Sequence, residues 1–225
     1  MILINILQFI LVTFGVFIFD YMYYFLIGGL ITRIFEGKYD IIKNDAFNYA
    51  IEQKTKGNIV IYIFMSLIYQ GILGNIYFDI SDYSLLWIIH SCVIYLLLAD
   101  MFFFTFHYLS HSNYLYKKIH KYHHKFNPTT LWAVRASHYI DSNIENMAFV
   151  IPFLITPIYF PISIILSLFT YFWSMIIHSE KKYDHGIKYL YSNKLHAIHH
   201  NYGKNGYNYS FFFTHWDILF NTLKE

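Results

Sequence analysis

Histidine is the residue whose placement in this sequence points to chemistry. The chain of 225 residues contains 13 histidines, and eight of them fall in three short clusters. The clusters are His107-Tyr-Leu-Ser-His111, His120-Lys-Tyr-His123-His124 and His196-Ala-Ile-His199-His200. Residues three or four positions apart lie on one face of a helix, so each cluster can direct its rings towards one point. The spacing therefore predicts a metal site assembled from all three clusters.

The number of imidazoles bears on how many metal ions such a site holds. Any one histidine is explained as a surface group, but eight imidazoles placed together without a metal would repel one another as they protonate. Imidazole binds Zn, Cu, Fe and Ni, so the ligand type alone leaves the metal open. Two six-coordinate ions have about twelve positions, and eight or nine nitrogens leave three or four for oxygen species. The count therefore predicts a two-metal site with open positions.

Zinc hydrolysis is the competing metal chemistry. Its helical HExxH signature is absent from the sequence. The single cysteine, Cys92, lies in an apolar run and cannot supply the cysteine pair of a deaminase-like zinc site. The histidines thus favour oxygen chemistry over hydrolysis.

The composition indicates which kind of protein positions these histidines. Hydrophobic residues make up 56% of the chain and charged residues 13%, with a mean hydropathy of +0.36; soluble domains carry about twice that charge. The net charge of +2 excludes the basic footprint of a nucleic-acid-binding protein. We therefore predict a polytopic membrane protein that does not bind nucleic acid.

Three apolar stretches have the length of membrane spans, which need about 20 residues. They cover residues 2–32, 57–78 and 83–106. Asp79 and Asp82 bracket a tight turn between the second and third stretches, and the third delivers His107 to the membrane surface. The first stretch lacks a basic start and a cleavage site, so a removable signal peptide is not expected.

Three ionisable residues interrupt these stretches: Asp20, His90 and Asp100. A carboxylate within a membrane is a functional candidate by default, but Asp20 is also explained by an interfacial position or by a tyrosine hydroxyl partner. We expect His90 to be a satisfied core residue rather than a ligand.

A fourth apolar stretch, residues 146–179, is too long for one ordinary span. Pro152, Pro157 and Pro161 break it into two limbs, which predicts a helical hairpin that enters and leaves on one side. His178 ends the second limb at the same surface as the clusters.

Charge placement orients the protein. All 16 Lys and Arg fall in residues 33–56, 107–145 and 180–225, which predicts that these segments face the cytoplasm. The predicted fold is an all-α membrane bundle of three spans and a proline-broken hairpin, with a cytoplasmic helical cap that holds the two-metal site. Residues 1–83 form the N-terminal spans and residues 84–225 the catalytic unit.

The three clusters, HxxxH, HxxHH and HxxHH, resemble those of the fatty acid hydroxylase and sterol desaturase superfamily. The resemblance extends over roughly residues 84–225 and includes four further segments. These begin at Tyr114 (Tyr-Leu-Tyr-Lys-Lys-Ile-His), Arg135 (Arg-Ala-Ser-His), Tyr171 (Tyr-Phe-Trp-Ser-Met-Ile-Ile-His) and Asn208 (Asn-Tyr-Ser, followed by Thr-His-Trp-Asp-Ile-Leu-Phe).

The resemblance implies a di-iron centre that uses dioxygen to hydroxylate or desaturate a lipid C–H bond. Electrons would come from NAD(P)H through a cytochrome b5 type donor, and the enzyme would lie in the endoplasmic reticulum membrane. The eight box histidines are the implied ligands, with His178 as a ninth and His138 as a tenth; the box ligands are His107, His111, His120, His123, His124, His196, His199 and His200.

The segment ending at His178 and the segment Gly206-Tyr-Asn-Tyr look most like sterol C-5 desaturases. The segments Tyr202-Gly and Asn208-Tyr-Ser-Phe resemble sphingoid base hydroxylases. A sphingoid base or fatty acid hydroxylase therefore stays an alternative. A membrane protein that binds or transports metal ions is an alternative of another class. An inactive scaffold would have disrupted boxes, and these are intact.

Two positions depart from the family pattern. Asn221 stands where Gly is usual, which would alter a turn, and Ala197 stands where a ligand-orienting Asp is frequent. Asp217 is interpreted as a structural cap or a histidine partner. His185 and His215 are expected to support the site or to lie on the surface.

Overall fold

A computed structural model describes residues 6–36, 45–57, 59–180 and 183–225. The chain is helical through most of this length, which confirms the predicted all-α class. The α-helices are α1 (Ile6–Ile31), α2 (Asp45–Gly57), α3 (Ile59–Tyr69), α4 (Leu85–Ser110), α5 (Asn113–Leu115), α6 (Lys121–His124), α7 (Tyr139–Ile155), α8 (Phe160–Ile177), α9 (Asn193–Tyr202) and α10 (His215–Leu219). Two short strands, β1 (Ile76–Tyr77) and β2 (Ile158–Tyr159), pair in parallel.

Three helices, α1, α4 and α8, are long and apolar enough to cross a membrane. At 1.5 Å per residue, the 26 residues of α4 span about 39 Å. The acidic turn precedes one end of α4, where Asp79 accepts a hydrogen bond from the Ser81 backbone N–H (2.9 Å). The first histidine cluster lies at the other end. The first histidine cluster and the acidic turn therefore lie at opposite ends of α4.

The second predicted span is shorter than its sequence indicated. Helix α3 contains only 11 residues, about 16 Å. Beyond it the chain turns at Gly71 and Gly74, whose φ angles of 67° and 81° lie in the left-handed region that ends helices. The prediction of one continuous span over residues 57–78 is therefore wrong in extent.

The hairpin forms from α7 and α8, which are joined through β2. Pro157 lies in the link, and Pro161 lies in the first turn of α8, where an N–H has no helical partner. Pro152, however, lies inside α7 and does not end it. Helix α7 begins at Tyr139, before the apolar stretch, and packs along α4.

Polar contacts join helix α1 to α3 and to the segment of residues 131–135. The Tyr24 hydroxyl donates to the Trp132 carbonyl (3.0 Å), and Asp20 accepts from the Tyr62 hydroxyl (2.7 Å) and the Arg135 guanidinium (2.7 Å). The tyrosine partner considered for Asp20 is therefore present, together with an arginine. The division at residue 83 stays a prediction.

His90 lies on the exposed side of α4. Its Nδ1 is 2.7 Å from the Leu86 carbonyl oxygen in its own helix. The expectation of a core position is therefore wrong, because position 90 falls on the outward face of the helix.

Candidate metal centre

Four elements bring the histidine clusters together. The end of α4 carries the first cluster, and a π-helical turn (Tyr116–His120) followed by α6 carries the second. Such wide turns are frequent at functional sites. Helix α9 carries the third cluster, and its first turn is capped by Ser192, which accepts from the Leu195 N–H (3.3 Å). His178 follows the end of α8.

Nine of the ten predicted ligands assemble into two buried groups. Within each group, one candidate ligand atom per residue lies within 4.8 Å of all the others. The five-histidine group consists of His107, His111, His120, His124 and His199. The four-histidine group consists of His123, His178, His196 and His200.

The separations between ring nitrogens fit metal binding. In the five-histidine group, His124 Nε2 is 3.1 Å from His120 Nε2 and 3.2 Å from His111 Nε2. In the four-histidine group, His178 Nε2 is 2.9 Å from His196 Nε2 and 3.3 Å from His123 Nε2. Nitrogens about 2.1 Å from one ion at near right angles are about 3 Å apart. The residues present therefore fit one metal ion in each group.

Four rings of the five-histidine group are fixed through Nδ1. Hydrogen bonds from Nδ1–H to outer acceptors set the tautomer and turn the Nε2 lone pair towards a metal. The acceptors are the carbonyl oxygens of Tyr209 for His107 (3.0 Å), Lys204 for His111 (3.4 Å) and Tyr207 for His199 (2.7 Å), and the carboxylate of Asp141 for His120 (2.9 Å). Within the described residues, Nε2 of His107 and of His199 is buried and makes no hydrogen bond, as expected of ligand atoms.

In the four-histidine group, His178 Nδ1–H donates to the Ser174 carbonyl oxygen in the preceding helix (2.7 Å). Nδ1 of His200 is buried without a hydrogen-bond partner in the described part of the chain. Three members of the group, His123, His178 and His196, line an apolar cavity that is described below. This group therefore faces the space that a substrate would occupy.

Burial keeps the imidazoles neutral. Desolvation lowers the pKa of His111 to about 4. Desolvation, and then repulsion from neighbouring imidazoles, holds the pKa values of His120, His124, His199 and His200 well below the usual 6.5. The neutral imidazole is the form that binds metal, so the site is prepared for a cation at physiological pH.

Two buried carboxylates hold the segment that supports His107. Asp100 Oδ1 accepts from the backbone N–H groups of Phe211 (3.0 Å) and Phe212 (2.6 Å). Asp217 accepts from the N–H groups of Tyr209 (2.7 Å) and Ser210 (2.9 Å). Asp217 therefore has the structural role interpreted from the sequence, and Asp100 has a similar one.

Two turn residues complete this support. Asn221 has a φ of 55°, a conformation that asparagine tolerates better than most residues, so the turn forms without glycine. A Cβ on Gly206 would lie 2.9 Å from two atoms of the His111 ring. Glycine at position 206 therefore lets the backbone approach this ring without displacing it.

An apolar cavity of about 820 Å³ extends from the membrane helices to the histidines. Helices α1, α3, α4, α7 and α8 all contribute to its lining, and His107 meets it from the five-histidine group. Ligand sites typically measure about 300–1,000 Å³. The cavity is thus large enough for a lipid whose reacting part contacts the metal centre.

The other predicted histidines lie outside both groups. His138 begins α7, where its Nδ1 accepts from the Ile140 N–H (3.3 Å), so the structure does not bring the tenth predicted ligand to the others. His185 lies about 3.4 Å from the Tyr191 carbonyl oxygen. His215 Nδ1 lies 3.9 Å from the Asp100 carboxylate, a supporting position.

Sequence reasoning missed Asp141 and Glu145. Asp141 is fully buried against His120, and Glu145 Oε1 lies 3.8 Å from the same ring. A signal was present, because acids four positions apart lie on one face of a helix and these follow His138 closely. Asp141 provides the type of carboxylate support that Ala197 cannot.

Comparison with known proteins agrees with this geometry. The fatty acid hydroxylase family profile matches residues 92–222. A Delta(7)-sterol 5(6)-desaturase of Schizosaccharomyces pombe is 32% identical over 158 residues, covering 66% of this chain and 49% of the relative. The lathosterol oxidase of Rattus norvegicus is 29% identical over 161 residues, covering 68% of this chain and 52% of the relative.

The chain spans about half the length of the curated relatives it matches. No solved structure gives a significant match. The family profile covers more than half of the chain and includes all three histidine clusters. The chain therefore belongs to the fatty acid hydroxylase family.

Proposed function

We propose that this chain is a membrane oxidoreductase that desaturates a sterol between carbons 5 and 6, with two iron ions bound by the two histidine groups. The observation that carries the proposal is the contact between a buried pair of histidine groups and an apolar cavity lined by membrane helices. The names of the related sterol desaturases supply the substrate class.

The two groups would each hold one ion through imidazole nitrogens. Bound iron would supply the activation of dioxygen, which histidine-rich sites with open positions support. The protein's own contribution is to hold the rings neutral and aligned. Burial keeps the rings neutral, and Asp141 and the carbonyl oxygens behind the five-histidine group align them by accepting hydrogen bonds from Nδ1–H.

The cavity supports lateral entry of the lipid from the bilayer. Apolar side chains of α1, α3 and α8 line it, among them Val12, Met65 and Leu168. They would exclude water from the reacting carbon atoms. His123, His178 and His196 at its inner end would place the oxidant next to the bound lipid.

The chemistry requires an external electron donor. Desaturation removes two hydrogen atoms from the lipid, and reducing one dioxygen to two waters consumes these together with two further electrons and two protons. We propose a separate cytochrome b5 type donor, supplied from NAD(P)H, that docks on the cytoplasmic face. The distribution of Lys and Arg supports that orientation, and the endoplasmic reticulum is the proposed membrane.

Hydroxylation of a sphingoid base or a fatty acid uses the same histidine arrangement. Relatives at 32% and 34% identity are sterol desaturases, which favours the sterol. Metal transport is less well supported, because Asp20, His90 and Asp100 lie in neither histidine group and form no series of sites through the described helices.

The experiment is sterol profiling of cells that lack sterol 5(6)-desaturase activity. Cells that express the chain should convert a Δ7 sterol into its 5,7-diene, and the purified protein should contain two irons. The variant His123→Ala should abolish conversion, because it removes a ligand of the four-histidine group.

The matched control is His90→Ala, since His90 is exposed and lies outside both groups. It should convert sterol like the wild type. An unchanged sterol profile in the presence of well-expressed, iron-loaded protein would refute sterol desaturation. A change in hydroxylated acyl lipids instead would indicate the hydroxylase alternative.

A further inference from the structure

A polar cluster interrupts the apolar wall of the cavity. It consists of Asp20 on α1, Tyr62 on α3, Arg135 at the end of the 3-10 helix Leu131–Arg135, and Tyr171 on α8. We propose that this cluster binds the hydroxyl group of the sterol and so sets which carbons reach the metal centre. This inference rests on the proposed function.

The cluster is built around an ion pair. The Arg135 guanidinium donates to Asp20 Oδ1 (2.7 Å), and the Tyr62 hydroxyl donates to Asp20 Oδ2 (2.7 Å). The guanidinium carbon lies 4.3 Å from the centre of the Tyr171 ring. Four separate elements therefore converge on one charged group.

The ion pair has surface that faces the cavity. The Arg135 and Asp20 side chains are 14% and 13% exposed, and both line the cavity. A charged pair that borders apolar space favours a polar group of the ligand at that point. A hydroxyl group is a suitable partner, because it can donate to a carboxylate and accept from a guanidinium.

The position of the cluster fits the reaction. Tyr171 on α8 packs against Arg135 and precedes His178, which follows the end of α8, by seven residues, a rise of about 10 Å. In a sterol, carbon 5 is two bonds from the carbon that bears the hydroxyl, and carbon 6 is three bonds away. With the hydroxyl held at Arg135, these carbons would lie within one ring of it, and a steroid nucleus directed towards His178 would place them between the cluster and the four-histidine group.

A purely structural role would tie α1 to the cap without affecting the ligand. The two roles differ in one measurable quantity, which is the ratio of the dissociation constants of a Δ7 sterol and its 3-deoxy analogue. A hydrogen bond to a charged group is worth about 10-fold to 100-fold in binding. Only the analogue without the hydroxyl lacks this bond.

The test uses the full chain, purified in lipid nanodiscs, with both ligands titrated anaerobically so that no turnover occurs. The wild type should bind the Δ7 sterol about 10-fold to 100-fold more tightly than the 3-deoxy analogue. The double variant Asp20→Leu/Arg135→Met should reduce the ratio to about one. Replacing a buried ion pair with apolar residues is often tolerated, so this variant is suited to keeping the fold.

Tyr62→Phe should lower the ratio by a smaller factor, because it removes one hydroxyl from the cluster. Tyr69→Phe is its matched control: Tyr69 lines the same cavity on the same helix, but its hydroxyl bonds Ser167 (3.0 Å). It should leave the ratio unchanged.

Several outcomes would overturn the inference: a wild-type ratio near one, an unchanged ratio in the double variant, equal weakening of both ligands, or no sterol binding by the wild type. Sterol conversion is measured separately. Conversion without hydroxyl discrimination would refute the inference and leave the proposed function standing. If the ratio falls to about one in the double variant but the wild type oxidises no sterol, the inference would stand and the proposed function would be refuted.

Discussion

The two histidine groups differ in how they are held and in what they face. Four of the five rings in the five-histidine group are fixed from behind by carbonyl or carboxylate acceptors, and only His107 meets the cavity. In the four-histidine group three of the four rings meet the cavity, whereas His178 is held by its own helix. The five-histidine group is therefore a rigidly supported candidate metal site, whereas the four-histidine group is a candidate metal site that adjoins the cavity.

This difference follows from the elements that supply the ligands. The loop of residues 203–213 wraps behind the five-histidine group, and its carbonyl groups accept from three of the rings. The four-histidine group lies between α6, α8 and α9, and α8 also forms the cavity wall. Support and access are therefore provided by different parts of the chain.

The largest expected effect comes from removing a ligand on one side only. His123→Ala should abolish lipid oxidation and lower the bound metal from two ions to one, because the five-histidine group keeps all its ligands. His120→Ala should also abolish activity, and it should weaken metal binding in the five-histidine group alone. Metal analysis of the purified proteins checks both; loss of both ions in each variant would show that the groups are not separable.

The next effect concerns the support of the five-histidine group. Asp141→Asn weakens the acceptor for His120 Nδ1–H, and changes of this kind cost about 10-fold to 100-fold in metal affinity or activity. Metal titration and turnover measure it. Asp184→Asn is the control, since Asp184 forms an exposed ion pair with Lys194. Equal effects of the two variants would contradict the assigned role of Asp141.

Gly206→Ala should also disturb the five-histidine group, through His111 rather than through His120. The added methyl group would lie 2.9 Å from the His111 ring, so the ring or the loop must move. We expect about a 10-fold loss of metal affinity, by analogy with other losses of ligand support. Gly15→Ala, which has nothing within 4 Å of the added carbon and lies in the cavity lining away from the histidines, should leave metal affinity unchanged; similar losses of metal affinity in both would refute the steric explanation.

The metal-free protein should lose stability in acid. The imidazole pKa values lie below 6.5 in the folded state, at about 4 for His111, because burial disfavours the charged form. Between pH 4 and about 6.5 the unfolded chain binds more protons than the folded chain. The free energy of unfolding therefore falls as the pH drops from about 6.5 to 4. Thermal unfolding against pH measures this, and a flat profile over that range would contradict it.

The smallest expected effect is at Asn221. Asn221→Ala should lower the free energy of unfolding by about 1 kcal/mol, because alanine disfavours a positive φ. Asn221→Gly should be neutral or slightly stabilising, since glycine adopts this conformation readily. Denaturation of the two variants checks the order; the reverse order would show that the asparagine side chain matters more than the turn.

The local histidine spacing predicted much of the site, because i, i+3 and i+4 positions share a helix face whatever the rest of the fold. His178 was predicted as a ligand from the resemblance of residues 171–178 to the family. The partition into five and four rings could not be predicted, since it separates His123 from its neighbour His124 through the twist of α6 and the approach of α8.

Long-range contacts explain what else was missed. Asp141 meets His120 only because α7 packs along α4, and Arg135 meets Asp20 across 115 positions of the chain. The early end of α3 depends on two glycine conformations that hydropathy does not register. The apolar lengths of α1, α4 and α8, by contrast, are read directly from composition.

In the proposed reaction, dioxygen would oxidise a lipid in the adjoining cavity, with one metal ion held by each histidine group. The most direct test is iron analysis of the purified full chain combined with oxygen-dependent turnover of a Δ7 sterol. We predict two irons per chain and one 5,7-diene formed for each dioxygen consumed. One iron per chain or fewer, or sterol turnover that does not require dioxygen, would contradict the account.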